Sequence, residues 1–304
     1  MTLEQLVAAE LAEPVDPRVS AMAAAVGAKY GTASRAVLFY GSCLREANLD
    51  GLMLDFYLIV SDYRAAYGKG WLAFANRLIP PNVFPFEHHG LVAKYAVLSE
   101  ADFARLASSR TRNVSVWARF AQPARLAWAA DAAARSNAVA AVSLAAPALL
   151  SAARPMLAES QPVERLWGEA FALTYAAELR AERRTRAGSV VDADPERYRR
   201  FTAPVLAAAG LDAAIENDTV RFLRPADRGA GQRAWARRRR EGKALTLARL
   251  AKATTTYAGG IDYLAWKINR HAGAAIEIRP WQRRWPILGA ISLLPRLLMK
   301  GAVR

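Results

Sequence analysis

The spacing of apolar positions changes along the chain, and each change predicts an element. From Asp16 to Tyr30 the apolar residues recur at helical spacing, which predicts a helix. Ala36–Tyr40 is a short, continuous apolar run and predicts a strand. A Gly41-Ser42 turn and a polar segment, Cys43–Asp50, come next. Leu52–Val60 predicts a second strand. Its alternation puts Leu54, Phe56, Leu58 and Val60 on one face and Met53, Asp55, Tyr57 and Ile59 on the other. Leu91–Leu98 predicts a further strand and Glu100–Ala107 a helix. From about Arg119 onward the Ala-rich pattern reads as helical, broken at Pro155 and Pro162, with a strong helix predicted from Val163 to about Arg184. Ala187–Pro195 reads as a loop, and the Gly- and Arg-rich stretch Ala226–Gly242 as exposed. Helices are predicted near Ala244–Thr255 and over Asp262–His271, either side of a Gly259–Gly260 turn. Trp281–Arg304 is basic and amphipathic. The chain contains no internal repeat, and the whole pattern is α/β at first and mainly helical later.

Composition narrows this picture. At 304 residues, just over half of them apolar, the chain builds a large core rather than low-complexity disorder. Cys43 is the only cysteine, which excludes an intrachain disulfide and a multi-cysteine zinc site and fits a reducing compartment. The net charge of +15 implies an anionic partner, whether nucleic acid, anionic lipid or polyphosphate. The acidic opening MTLEQLVAAELAEPVD lacks the basic region of a secretory leader. Ser136–Ala153 lacks charge over nearly the length of a membrane span, but it is mostly Ala with Ser, Asn and Pro, and is expected to form a buried helix pair rather than a span. The abundance of Ala and Arg has a bacterial character.

The segment AVLFYGSCLREANLDGLMLDFYLIV carries most of the chemistry. Gly41 lets the backbone approach a phosphate, and the Ser42 amide and hydroxyl can donate to it, more so where Ser42 opens a helix. Thirteen residues after Ser42, Asp55 interrupts an apolar strand. A carboxylate in such a strand needs a partner, because burying it alone is costly. Two partners suit it: Mg²⁺ carried by nucleotide phosphates, or one of the many arginines. His88 and His89 lack metal-ligand spacing and read as loop residues.

A Gly-Ser turn followed by an acid-bearing strand resembles the nucleotidyltransferase superfamily, although Tyr57 stands where that pattern has a second acid. Within the superfamily the chain resembles the mitochondrial-type phosphatidate cytidylyltransferases, the translocator assembly and maintenance family, which carry a YGSG-like turn and one acid in an LDF-type strand. KYAVLSEADF, with Lys94, Ser99 and Asp102, is similar to that family's KYGVIS segment and its following acid. VWARFAQPARL, with Arg119 and Pro123, is similar to its AGRLQKPV segment, Gln122 replacing a lysine. LTYAAELRA, with Tyr175, Glu178 and Arg180, resembles its SYxGDxRM motif, Glu178 replacing an aspartate. DYLAWK, with Tyr263 and Lys267, resembles its YxxxK motif.

The resemblance implies an α/β fold with a nucleotidyltransferase-like mixed sheet at residues 1–135. A helical domain at 136–272 would complete the active site, followed by an amphipathic membrane-associating tail at 273–304. It implies CTP and phosphatidic acid as substrates, CDP-diacylglycerol and pyrophosphate as products, and Mg²⁺ or another divalent cation as cofactor. The departures at Tyr57 and Gln122 keep two alternatives open: a nucleotidyltransferase with another acceptor, such as a lipid precursor, an RNA or a protein, and a non-catalytic relative that binds anionic lipid or RNA. Asp55 and Glu178 would be the catalytic, metal-binding acids. Tyr40, Gly41, Ser42, Lys94, Arg119, Tyr175, Arg180, Tyr263 and Lys267 would contact nucleotide or phosphate. Read from spacing alone, Glu178 also fits a surface ion pair, and Tyr263 with Lys267 an ordinary solvated helix face.

The basic clusters bear on location. Arg237–Arg240, beside Trp235, reads most simply as a solvated face, with nucleic acid or a phosphate-rich membrane as other readings. In the tail, Ile287, Ile291, Leu294 and Leu298 repeat at helical spacing, while Arg296, Lys300 and Arg304 are four apart. Trp281 and Trp285 flank Arg283 and Arg284, a pairing suited to lipid headgroups. The apolar run is too short to span a bilayer. The expectation is a cytoplasmic protein, peripheral on the inner (plasma) membrane and in contact with its anionic surface, with nucleic acid not expected as a partner. A tail docked on its own domain is the alternative.

Overall fold

The computed structural model describes residues 1–46, 48–178, 190–256 and 278–284. Helices α1 (Leu3–Leu11) and α2 (Pro17–Gly27) lead into strand β1 (Ser34–Tyr40). Thr2 and Gln5 close α1 with a reciprocal capping box, and Asp16 caps α2 ahead of Pro17. Then follow β2 (Met53–Val60), α3 (Tyr63–Tyr67), α4 (Gly70–Leu78), β3 (Asn82–His88), β4 (Leu91–Ser99), α5 (Glu100–Leu106), α6 (Trp117–Phe120) and β5 (Ala124–Ala129). These strands form one mixed sheet in the order β3-β4-β2-β1-β5. Only β2 and β4 run parallel; their neighbours pair antiparallel.

The two faces of β2 feed two cores, as its alternation predicts. Leu54, Phe56, Leu58 and Val60 join Val19, Met22 and Val26 of α2. Tyr57 and Ile59 face a larger core that runs from Leu3 through Trp117 and Trp167 to Trp235. That second core is closed by α7 (Ala132–Ser143), α8 (Ala145–Ala153), α9 (Val163–Ala177), α10 (Pro195–Ala208) and α11 (Arg228–Thr256). The stretch Ala132–Met156 is long and apolar enough to cross a membrane, but more than half of its apolar window is buried inside the protein. A small sheet, β6-β8-β7, is built from Ser160–Pro162, Thr219–Phe222 and Ala213–Glu216. A last short helix, α12, spans Pro280–Arg284.

Several expectations need correction. The Ala-rich region after Arg119 contains β5, where antiparallel pairing with β1 overrides the helical preference of alanine. Pro85 hides β3, yet β3 is an edge strand, where a missing N–H is tolerated. Ala226–Gly242 is largely exposed, as expected, but it is helical from Arg228, where α11 begins. Trp235 departs from that exposure, fully buried with its indole N–H donating to the Ala152 carbonyl at 2.9 Å. Two of its glycines mark close crossings. A Cβ at Gly231 would lie 2.5 Å from the Pro155 Cβ, and one at Gly242 would lie 2.1 Å from the Ala177 carbonyl oxygen. The helix predicted to reach Arg184 ends at Ala177, and Glu178 is already extended (φ −114°, ψ 153°), so it does not share a helix face with Tyr175. The expected turn at Gly259–Gly260 and the helix Asp262–His271 lie outside the described residues.

Candidate active site

The site begins with sheet register. Asp55, near the start of β2, is paired with Tyr40 on one side and Lys94 on the other. The shared register brings the Lys94 ammonium to 3.0 Å from the Asp55 carboxylate. Both side chains remain partly exposed, at 31% and 25%. Immediately after Tyr40 the chain turns at Gly41 with φ 96°, ψ −166°, a conformation that favours glycine. A Cβ there would stand 3.5 Å from the second Asp55 oxygen, so the turn passes directly over the carboxylate. Ser42 is exposed and opens a single 3₁₀ segment, Ser42–Arg45, rather than an α-helix.

One pleat further along β2, Tyr57 points the same way as Asp55. Its ring packs 5.2 Å from both Tyr40 and Phe120. Burial raises the pKa of both tyrosines, and the Asp55 charge adds to the rise at Tyr40, so both hydroxyls stay protonated. Beyond the rings, Arg119 of α6 lies 3.3 Å from Glu178, which is buried at the end of α9. Burial alone would lower the pKa of Arg119, but Glu178 and the two tyrosines outweigh it and raise the value. Arg119 also donates to the Ser115 carbonyl.

The opposite wall comes from α11, whose crossing over Ala177 carries Arg249 and Lys252 to the site. Arg249 donates to the Ser115 hydroxyl at 2.9 Å and twice to the Pro80 carbonyl, at 2.9 and 2.6 Å. The Lys252 ammonium donates to the carbonyls of Ile79 and Pro81, the latter at 2.8 Å. Burial, with the Arg249 charge, pushes Lys252 down to about 7. None of Ser115, Arg249 and Lys252 is signalled in the sequence beyond the three-residue spacing of the two cations on a basic helix.

The fold thus gathers Tyr40, Gly41, Asp55 and Lys94 at one end of the sheet, with Arg119 and Glu178 behind Tyr40 and Tyr57. Tyr175 packs partly buried against the main core. Gln122, just past α6, turns back to donate to the Ala118 carbonyl of that helix, at 2.9 Å. Ser99 caps α5, while Asp102 accepts from the Tyr63 hydroxyl at 2.6 Å and from Arg105. Arg180, Tyr263, Lys267, Trp285, Ile287, Ile291, Leu294, Arg296, Leu298 and Lys300 lie outside the described residues. Trp281 is 44% exposed on α12.

Among the described residues, no three His, Cys, Asp or Glu side chains gather as a metal cage. Of the two acids gathered here, Asp55 is partly exposed and Glu178 is buried. Mg²⁺ typically takes one or two carboxylates together with substrate phosphates and water. The donor set therefore fits a metal that arrives with a polyphosphate. No protein-family model and no curated protein matches the chain.

Proposed function

We propose that the chain is a membrane-surface nucleotidyltransferase, and specifically a CTP:phosphatidate cytidylyltransferase. One observation carries the reading: Gly41, Asp55, Lys94, Arg119 and Glu178, scattered over most of the first 180 positions, converge around the end of one mixed sheet. In this reading a phosphatidate oxygen forms a bond to the α-phosphorus of CTP. The bond from that phosphorus to the bridging oxygen breaks, and pyrophosphate leaves with the electron pair. Bound at Asp55, Mg²⁺ would supply charge neutralisation to the triphosphate.

The protein's own contribution is positioning and electrostatics. The Gly41 turn brings backbone close to the phosphates. Lys94 and Arg119 face the charge that builds on the departing oxygens, and the Tyr40 hydroxyl stays protonated as a donor. Glu178 orients Arg119; to ligate metal as well it would have to loosen that pair.

Support for the lipid side comes from α4. Trp71, Phe74 and Leu78 are 54%, 67% and 65% exposed and fall on one face of the helix. Exposed Lys69 and Arg77 flank that face, and the chain carries a large positive charge. An apolar face with tryptophan and basic neighbours complements an anionic bilayer surface.

Purified protein incubated with each labelled nucleoside triphosphate, Mg²⁺ and phosphatidic acid tests the proposal. CTP should give a lipid-soluble nucleotide product. Asp55→Asn should lower turnover by about 100-fold or more with little loss of folding, because it removes a full charge from the metal-triphosphate contact. Near-wild-type transfer by Asp55→Asn would sink the assignment.

A further inference from the structure

Ser115 holds two guanidinium groups at once. Its carbonyl accepts from Arg119 and its hydroxyl accepts from Arg249. Ser115 is itself buried, at 2% exposure, so the two arginines meet on a residue enclosed by the protein. Arg119 has Glu178 as its carboxylate partner. Among the described residues, Arg249 has no ion pair with a carboxylate; its bonds go to Ser115 and to the neutral Pro80 carbonyl. Two guanidiniums therefore share one carboxylate in a partly buried place, with the Lys94–Asp55 pair around the same sheet end. Like charges set together in this way cost free energy unless an anion joins them. Paired guanidiniums suit an oxyanion with several oxygens, because each planar fork can offer parallel N–H donors.

We infer that Arg119 and Arg249, aligned by Ser115, form a binding subsite for a pyrophosphate-like oxyanion. In the proposed reaction the subsite would take the β- and γ-phosphates and then the departing pyrophosphate; its ligand class rests on that reading. Arg249 adds what β2 and β4 do not supply, namely a cation from the far side of the cleft. Lys252, one turn further along α11, extends the same positive wall.

Calorimetric titration of the full chain with inorganic pyrophosphate, without divalent metal, tests the subsite. Wild type should bind, more weakly as salt rises. Arg249→Gln should weaken binding by about tenfold or more, since a charge-assisted contact is lost. Arg249→Lys should recover only part of the loss, because an ammonium is not a fork. Ser115→Ala keeps both charges but removes the hydroxyl that aligns Arg249, and should weaken binding by a few fold. This small change in a buried serine carries the test if Arg249→Gln melts early. Asp55→Asn should keep or improve pyrophosphate affinity while losing nucleotidyl transfer. Failure of the reaction and failure of the subsite are thereby separated.

Competition distinguishes the source of the phosphate. Displacement of pyrophosphate by CTP supports a nucleotide tail in the subsite, and displacement by soluble short-chain phosphatidate supports the lipid phosphate. No pyrophosphate binding by wild type overturns the inference. So does equal affinity in wild type, Arg249→Gln and Ser115→Ala.

Discussion

At Lys252 a lysine nitrogen is fixed against two backbone carbonyls in a place that water only partly reaches. Its folded value, about 7, lies below the ordinary 10.5. The unfolded chain therefore binds more protons than the folded one between those two values, so stability should rise with pH across that window. Below about 7 both states hold the proton and this gain is absent. Lys252→Met should flatten the rise, whose slope is at most about 1.4 kcal/mol per pH unit. Denaturant unfolding of both proteins at pH values spanning the window checks this. Asp55 was legible because an acid inside an apolar strand is conspicuous, and Lys94 because it borders another apolar run. Arg249 and Ser115 were not: one arginine on an arginine-rich helix looks solvated, and a serine shows its role only once two distant segments have met.

At the scale of elements, α11 acts as a strap. It lies against α9 at Gly242, where no side chain fits between the helix and the Ala177 carbonyl. Gly242→Ala must push the two backbones apart and should cost about 1–3 kcal/mol. It should also disturb the site, since Glu178 follows Ala177 and Arg249 lies two turns beyond Gly242. A lowered melting temperature with unchanged pyrophosphate affinity would show that the crossing and the site are independent. The outward face of α4 allows a cleaner separation. Trp71→Glu with Phe74→Glu should leave stability within about 0.5 kcal/mol, as expected for exposed positions. Sedimentation with phosphatidate-containing vesicles should fall sharply; unchanged binding would place lipid contact elsewhere. Strands β1, β2 and β4 and helix α5 were readable from period alone, each to within a residue or two at its ends. The strands β3 and β5 and the helix α11 were obscured by residues whose local preference, for Pro85, alanine and glycine respectively, gave way to pairing or close packing.

Across the whole molecule, the first helix is tied to the second half of the chain by a buried pair. Arg197 of α10 donates to Glu10 of α1, and it also donates to the Ala121 carbonyl at 3.2 Å. Both side chains are almost wholly buried, at 3% and 5% exposure. Glu10→Ala would strand the guanidinium and should cost about 3–5 kcal/mol, whereas replacing both residues with apolar ones of similar size should recover much of that loss. Equilibrium unfolding of the single and double variants measures the difference. The acidic start of the chain thus proves to be a packing element, a role hidden in the sequence because its partner is 187 positions away.

The path of α11 also gives the chain an order in time. On the ribosome Asp55 and Lys94 emerge early and can pair as soon as β2 and β4 meet. Arg249 is made much later, after α9 has supplied the surface on which Gly242 must settle. A nascent chain therefore carries the paired Asp55–Lys94 side of the cleft before the opposing Arg249, and acquires the complete charge pattern only once α11 has been made.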